Sequence, residues 1–450
     1  MRSRCPKRAA NLIDLFFELY YTESMKLDLA PYKNKKICVA LSGGGDSMAL
    51  LHYLTSHAAE LSLQVLAAHL EHGIRGERSK RDADFVKRFC AQSGVPLIFK
   101  SENCVAYAKA HKKGLEEGAR EVRYRFFSEI LNSGEADYIC TAHHADDNAE
   151  TLLFNLFRGS ALTGAGGIAQ EQGGIIRPML GVPKEEITAY LKENAVPYVE
   201  DETNADTRYT RNFLRIEILP SAKKIFPSCT ERLYSFSRLA REDDAFLYEL
   251  ARKECEIKEE FFRFRADLPR PLFLRACVLG FRRFGGEKDY TQANCEDVFA
   301  LRGAKNGACV HLPFSLVAAR EYGKIVIYRP TAKETAEIPF SAGEFAFGGK
   351  ILKICEGESG GNNVLRLDGR KLPENCVIRA RREGDVFKKF GGGTKKLKDF
   401  LIDKKIPVRE RDSLPVIAKG SEIYAVCGVE ISDKVKLDRE SGRIYSIILQ

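Results

Sequence analysis

Hydrophobic and polar positions follow two rhythms along the first half of the chain. Short apolar runs, of the kind that fill a strand buried on both faces, occur at Lys36–Leu41, Val65–Leu70, Pro96–Phe99 and Ala136–Thr141. Between them, apolar residues recur at helical spacing in Asp46–Ser56, Ser79–Gln92, Leu115–Leu131 and Asp147–Phe157. Strands alternating with helices predict an α/β domain, a parallel sheet covered on both faces. Gly159–Gly174 is rich in glycine and small residues and reads as a mobile loop. Pro183 opens a short helix, a position proline favours. Leu219-Pro220 reads as the end of the domain. Thr230–Ala300 is mostly helical in pattern, and Cys309–Arg329 alternates as strands do. Pro330–Lys371 shows short strands and glycine turns, and Val377–Gln450 mixes a basic helix with short strands. The expected organisation is residues 1–220, a mostly helical 221–330 and a basic α+β 331–450.

A length of 450 residues suits two or three domains. No run approaches the roughly 18 apolar residues of a membrane span. Leu12–Tyr21 is partly apolar, but Asp14 and Glu18 make it a short amphipathic helix and not a signal peptide. A cytoplasmic location is the default expectation. The 13 cysteines form no C-x-x-C pair, so they read as small buried residues in a reducing compartment. A net charge of +9 says little alone, but Arg379–Arg411 holds twelve Lys/Arg against five Asp/Glu, a net of +7. Phe387, Phe390 and Phe400 interleave it, with Phe400 read as core. A clustered basic surface is what binding to RNA phosphates needs.

Ser42-Gly43-Gly44-Gly45-Asp46-Ser47 follows the first strand and opens a helix. Glycines let the backbone approach a phosphate, and the helix N-terminus offers unpaired N–H donors. Ser42 and Ser47 add hydroxyls. Asp46 beside phosphates calls for a bridging Mg²⁺, which makes it the candidate metal ligand. The bland alternative is a plain turn with Ser47 as a helix cap. The string resembles the pyrophosphatase-type loop (PP-loop) of the N-type ATP enzymes, since no Gly-Lys-Ser/Thr follows. Such enzymes cleave ATP to AMP and pyrophosphate through an adenylated oxygen.

Other residues stand at strand ends. His69 either contacts a nucleoside or is a core histidine. Asp147 and Glu150, three apart, share a helical face, with His143 and Asp146 before them. A carboxylate there suits holding an amine and accepting its proton, although acidic residues also suit a helix start. Glu117, Arg120 and Arg123 are spaced by three, as a site for developing negative charge or as an exposed ion-pair ladder. Arg211 and Arg215 are four apart, to contact the anticodon or to close the site.

His69-Leu70-Glu71-His72-Gly73-Ile74-Arg75, Glu116–Tyr124, Thr141–Thr151, Asn155–Gly159, Arg177-Pro178 and Asp201–Asp206 ending in Arg211–Arg215 together resemble the tRNA(Ile)-lysidine synthetase family. The resemblance runs over most of residues 36–220 and resumes at Lys305–Gly323 and Arg379–Lys436, including Lys395–Phe400 and Arg411–Val416. Departures are the third glycine at Gly45, Tyr424 where many members carry Trp, and Leu70-Glu71 where members often show a hydrophobic residue and Asn.

The resemblance implies a Rossmann-like PP-loop ATPase domain, a helical middle domain and a smaller α+β C-terminal domain. It implies a ligase that uses ATP and Mg²⁺ to adenylate the wobble cytidine of an isoleucine tRNA with anticodon CAU. The ε-amine of L-lysine then displaces AMP to give lysidine. A homodimer is a family-level expectation. Carried onto this sequence, the catalytic residues are Asp46, Arg120, Asp147 and Glu150. ATP contacts are Ser42, Gly43, Gly44, Gly45, Asp46, Ser47 and His69. Lysine and substrate contacts are Glu117, Arg120, Arg123, His143, Asp147 and Glu150. Contacts to tRNA are Arg208, Arg211, Arg215, Lys388, Lys395, Lys396 and Lys398. Which of Asp146, Asp147 and Glu150 takes the proton stays open. The rival readings are a tRNA thiolase with the same loop, a metabolic amidotransferase or synthetase, and a non-enzymatic RNA-binding protein.

Overall fold

The computed structural model describes residues 25–73, 77–199, 210–285, 290–330, 335–361 and 364–450. The Leu12–Tyr21 helix, Ile74-Arg75, Asp201–Asp206 and Arg208 lie outside the described residues. The chain divides into two compact units, Met1–Ala245 and Phe246–Gln450.

In the first unit, β1 (Lys36–Ala40), β2 (Gln64–Glu71), β3 (Leu97–Ser101) and β4 (Tyr138–Cys140) pair in parallel in the order β3-β2-β1-β4. Beyond β4 lies a small hairpin, β5 (Glu171–Gln172) and β6 (Ile175–Ile176), with β6 parallel to β4. Side chains alternate across the sheet with period two. Ile37 and Val39 therefore face one layer, where α1 (Gly45–Ser56) and α2 (Glu77–Ser93) pack. Cys38 and Ile139 face the other, where α3 (Cys104–Ala110) and α4 (Leu115–Asn132) pack. With both faces covered, these four residues are fully buried, which is why β1 is so evenly apolar. The chain leaves β1 and β4 towards opposite sides of the sheet, so a crevice opens at their carboxyl ends. The Ser42–Ser47 loop follows β1, and α5 (Ala145–Phe157) follows β4.

One reading of this unit changes. The stretch expected to be a mobile loop contains a one-turn helix, Leu162–Ala165, and β5. It is pinned by Asn148, whose Oδ1 accepts the Ile168 N–H at 2.8 Å, and by Asn155, whose Nδ2 donates to the Gly164 carbonyl at 2.9 Å. Gly167 and Gly174 serve close packing, since a Cβ on them would press on Asn148 and Leu131. Pro220 lies at the second position of the helical segment Leu219–Ile225. That helix continues Thr210–Phe213 and a π-helical turn, Leu214–Ile218.

In the second unit, strands β7 (Cys255–Ile257), β8 (Phe261–Arg265), β9 (Cys309–Leu312), β10 (Leu316–Glu321) and β11 (Lys324–Tyr328) form an antiparallel sheet ordered β7-β8-β11-β10-β9. Helices Arg270–Arg283 and Gln292–Ala300 cover it around Phe262, Phe264, Phe273 and Phe281. The β7–β8 hairpin interrupts the helical pattern expected for Thr230–Ala300, because Phe262 and Phe264 alternate with Arg263 and Arg265 at the period of a strand. Further on, a seven-stranded sheet holds Val416–Lys419 and Glu422–Val426 at its centre. A four-stranded antiparallel sheet runs Gly343–Phe347, Lys350–Glu356, Ile444–Leu449, Leu365–Asp368. Phe387 and Phe400 pack together in a buried core, as read for Phe400. Among the described residues, no helix is long and apolar enough to cross a membrane.

Candidate active site

The glycine loop is shaped by its backbone. Gly43 has φ +91°, the left-handed region where a side chain is strained, and a Cβ there would press on Val86 at 3.3 Å. Gly44 caps α1 without a side-chain hydrogen bond, so the first N–H groups of this 12-residue helix have no capping acceptor. Ser47 Oγ donates back to the Gly44 carbonyl at 2.9 Å and lies 3.1 Å from Ser42 Oγ, while the Gly44 N–H donates to Ser42 Oγ at 3.3 Å. Across the loop, the Val199 N–H donates to the Gly43 carbonyl at 2.9 Å. This is an anion cradle made of N–H and O–H groups.

His69 is buried and stacks on Phe99 with ring centroids 5.9 Å apart. Its Nδ1 lies 2.7 Å from the Leu41 carbonyl, which can only accept, so Nδ1 carries the proton and Nε2 is left as an acceptor. Burial lowers its pKa and keeps it neutral.

The second half of the site stands on α5 and the turn before it. His144, buried at the helix start, links the two halves: its Nε2 is 3.7 Å from Asp46 and 3.4 Å from Asp147. Its backbone N–H donates to Asp147 Oδ2 at 3.0 Å, closing the first turn of α5. Asp147 and Glu150 meet the same guanidinium. Arg215 donates from Nε to Glu150 Oε1 at 2.6 Å, and from Nη2 to Glu150 Oε2 at 3.0 Å and Asp147 Oδ1 at 3.1 Å. Burial raises the Glu150 carboxyl above its ordinary range, and Arg215 works against that rise. Asp146 turns away and braces the site, accepting the Lys184 N–H at 3.1 Å and pairing with Lys223. Lys184 starts helix α6 (Lys184–Glu193), and its ammonium pairs with Asp46.

His143 accepts or donates at 2.9 Å to Thr141 Oγ1 through Nδ1. Burial pushes its pKa down to about 4, with Asp147 opposing and Arg177 and Arg120 reinforcing the shift. Arg120 is exposed on α4, its guanidinium 3.0 Å from the Tyr124 hydroxyl and over that ring. Arg123 is exposed on α4, as is Glu117, whose charge acts on Lys113.

The structure therefore brings together Ser42–Ser47, Asp147, Glu150 and His143, with Arg120 on the exposed side of α4. It leaves Glu117 at the surface. Arg215, expected among the tRNA contacts, is engaged with the acidic pair. Arg211 instead lies over the Phe154 ring at 5.9 Å. His144, Lys184, Lys223 and Asn148 were missed. Lys184 is 138 positions from Asp46 and no spacing announces it. His144 alone left a signal, as the residue preceding an acidic helix start. Buried Arg177 was noted only as part of a string. It donates to the Ala169 carbonyl at 2.8 Å, and its Nε has no hydrogen-bond partner.

In the second unit the basic stretch is largely spoken for. Arg379, buried, makes a two-pronged pair with buried Asp385 at 2.8 and 2.9 Å. Arg381 pairs with Asp412, Arg382 with Glu337, Lys388 with Asp433, Lys389 and Lys395 with Asp403, Lys404 with Glu430, and Arg409 with Glu321. Lys396, Lys398 and Lys405 are exposed without an ion pair among the described residues.

A phosphate cradle after β1, facing an acidic helix start after β4, defines a PP-loop nucleotide-using enzyme, and the PP-loop domain family matches residues 19–222. Residues 376–447 match a second family, the TilS substrate C-terminal domain. The tRNA(Ile)-lysidine synthase of Caldanaerobacter subterraneus is 32% identical over 92% of this chain and 94% of its own. Those of Geobacillus kaustophilus (34%, over 85% and 88%) and Oceanobacillus iheyensis (34%, over 91% and 96%) are similar along almost their whole length. The chain belongs to the tRNA(Ile)-lysidine synthase family, and it is a ligase that forms a carbon–nitrogen bond.

Proposed function

We propose that one crevice performs both halves of lysidine formation on an isoleucine tRNA with anticodon CAU, adenylating the wobble cytidine and then joining it to L-lysine. The observation that carries this reading is His144, within 4 Å of both Asp46 and Asp147, which puts the phosphate cradle and the acidic pair in one site.

The Ser42–Ser47 loop holds the ATP phosphates by backbone N–H and hydroxyl donors. His69 Nε2 accepts from the adenine amino group. Asp46 offers carboxylate oxygens of the kind Mg²⁺ takes together with phosphate oxygens, so it is the residue that would hold the ion. Bound there, Mg²⁺ would neutralise charge on the departing pyrophosphate. Arg120 stabilises negative charge as the base is adenylated and as AMP leaves. His143, neutral near pH 7, serves as a hydrogen-bonding group and not as a cation. Asp147 and Glu150 hold the lysine ammonium. Glu150, made more basic by burial, takes its proton as the amine attacks carbon 2. Exposed Lys396 and Lys398 contact tRNA phosphates.

The test is incorporation of labelled lysine into an isoleucine tRNA transcript with anticodon CAU, with ATP and Mg²⁺ present. ATP-dependent, acid-stable label that is lost in Asp46→Ala is expected. Release of AMP without label would remove lysine as the nucleophile and point to a sulfur donor.

A further inference from the structure

All four carboxylate oxygens that the proposed function assigns to the substrate ammonium already have a partner. Both oxygens of Glu150 and one of Asp147 receive Arg215. The other Asp147 oxygen receives the His144 N–H. A buried carboxylate such as Glu150 needs one cation beside it, and two cations at one carboxylate repel each other. Arg215 is carried on the π-helical turn Leu214–Ile218, a rare form of helix found frequently at functional sites. We propose that Arg215 is an internal plug, a guanidinium that occupies the lysine site at rest and must leave before the substrate ammonium can enter. The inference rests on the assignment of Asp147 and Glu150 to lysine. It makes Arg215 a gate, because any ligand of the acidic pair must compete with it.

Apparent affinity for a ligand falls by the fraction of protein in the competent state. Removing the plug therefore tightens lysine binding. By calorimetry on the full-length protein without tRNA, Arg215→Ala and Arg215→Gln are expected to bind L-lysine about tenfold more tightly than the parent. L-arginine and methylguanidine should compete more strongly in these variants. Arg215→Gln keeps a donor beside Glu150 in case Arg215→Ala folds poorly. In the unaltered protein, adding lysine should speed hydrogen exchange at Leu214–Ile218. Equal or weaker lysine binding in folded Arg215→Gln, or exchange that lysine leaves unchanged, would overturn the plug. Glu150→Gln separates the two levels of the argument. Unchanged lysine binding in that variant sinks the assignment of the acidic pair itself. Lost binding there without tightening in Arg215→Gln sinks the plug alone.

Discussion

The acidic crevice of the first unit and the basic stretch of the second are opposite in sign but built on the same economy. In the crevice, Asp46, Asp146, Asp147 and Glu150 are each tied to Lys184, Lys223 or Arg215. In the basic stretch, nine cations of twelve are engaged with protein oxygens, Arg411 through the Ile406 carbonyl. The difference lies in depth. The crevice pairs are half-buried and sit where substrates enter, so they must exchange partners. The Arg379–Asp385 pair is closed over, at 2% and 3% exposure, and holds the sheet together. A charge count on a sequence does not distinguish a charge offered to a ligand from one used inside the protein.

Four variants probe that contrast, in falling order of effect. Asp385→Ala leaves a buried guanidinium unpaired and is expected to cost about 3–5 kcal/mol, lowering the thermal midpoint of the second unit by about 10 °C. A loss below about 1 kcal/mol would mean that solvent reaches Arg379. Asp146→Asn leaves Lys223 paired with Glu185 alone and weakens the anchor of α6. Being half-buried, it should cost about 1–2 kcal/mol, read as a smaller drop in the melting of the first unit. Lys396→Ala with Lys398→Ala should leave stability unchanged. It should weaken tRNA binding several-fold and lower the slope of log affinity against log salt by about one to two. The pair Lys388→Ala with Lys395→Ala, already neutralised by Asp433 and Asp403, should change that slope less. Equal slopes for both pairs would erase the distinction between free and engaged charge.

The first unit was legible where one segment carries its own explanation. The four parallel strands follow from evenly apolar runs, and the glycine loop from a string whose φ values only glycine accepts with ease. The spacing of Asp147 and Glu150 foretold a shared face, and the structure puts both on one guanidinium. What stayed hidden was pairwise. Lys184 and Lys223 reach the acids from distant positions, and Asp433, Glu430 and Glu337 neutralise the basic stretch from outside the window in which its charge was counted. The β7–β8 hairpin was legible in principle, since Phe261–Arg265 alternates, but five residues inside a helical stretch carry too little period to outweigh it.

The π-turn at Leu214–Ile218 has a consequence for length as well as for contacts. A π-turn amounts to one residue added to an α-helix. Each residue of a regular helix advances by about 100°. Losing one of Ile216–Ile218 would let the helix become regular and swing the Arg215 side chain relative to the segment that follows, with Arg215 itself kept. For the genome, a single-codon deletion here is a change of aim, and this segment is less free to vary in length than in composition.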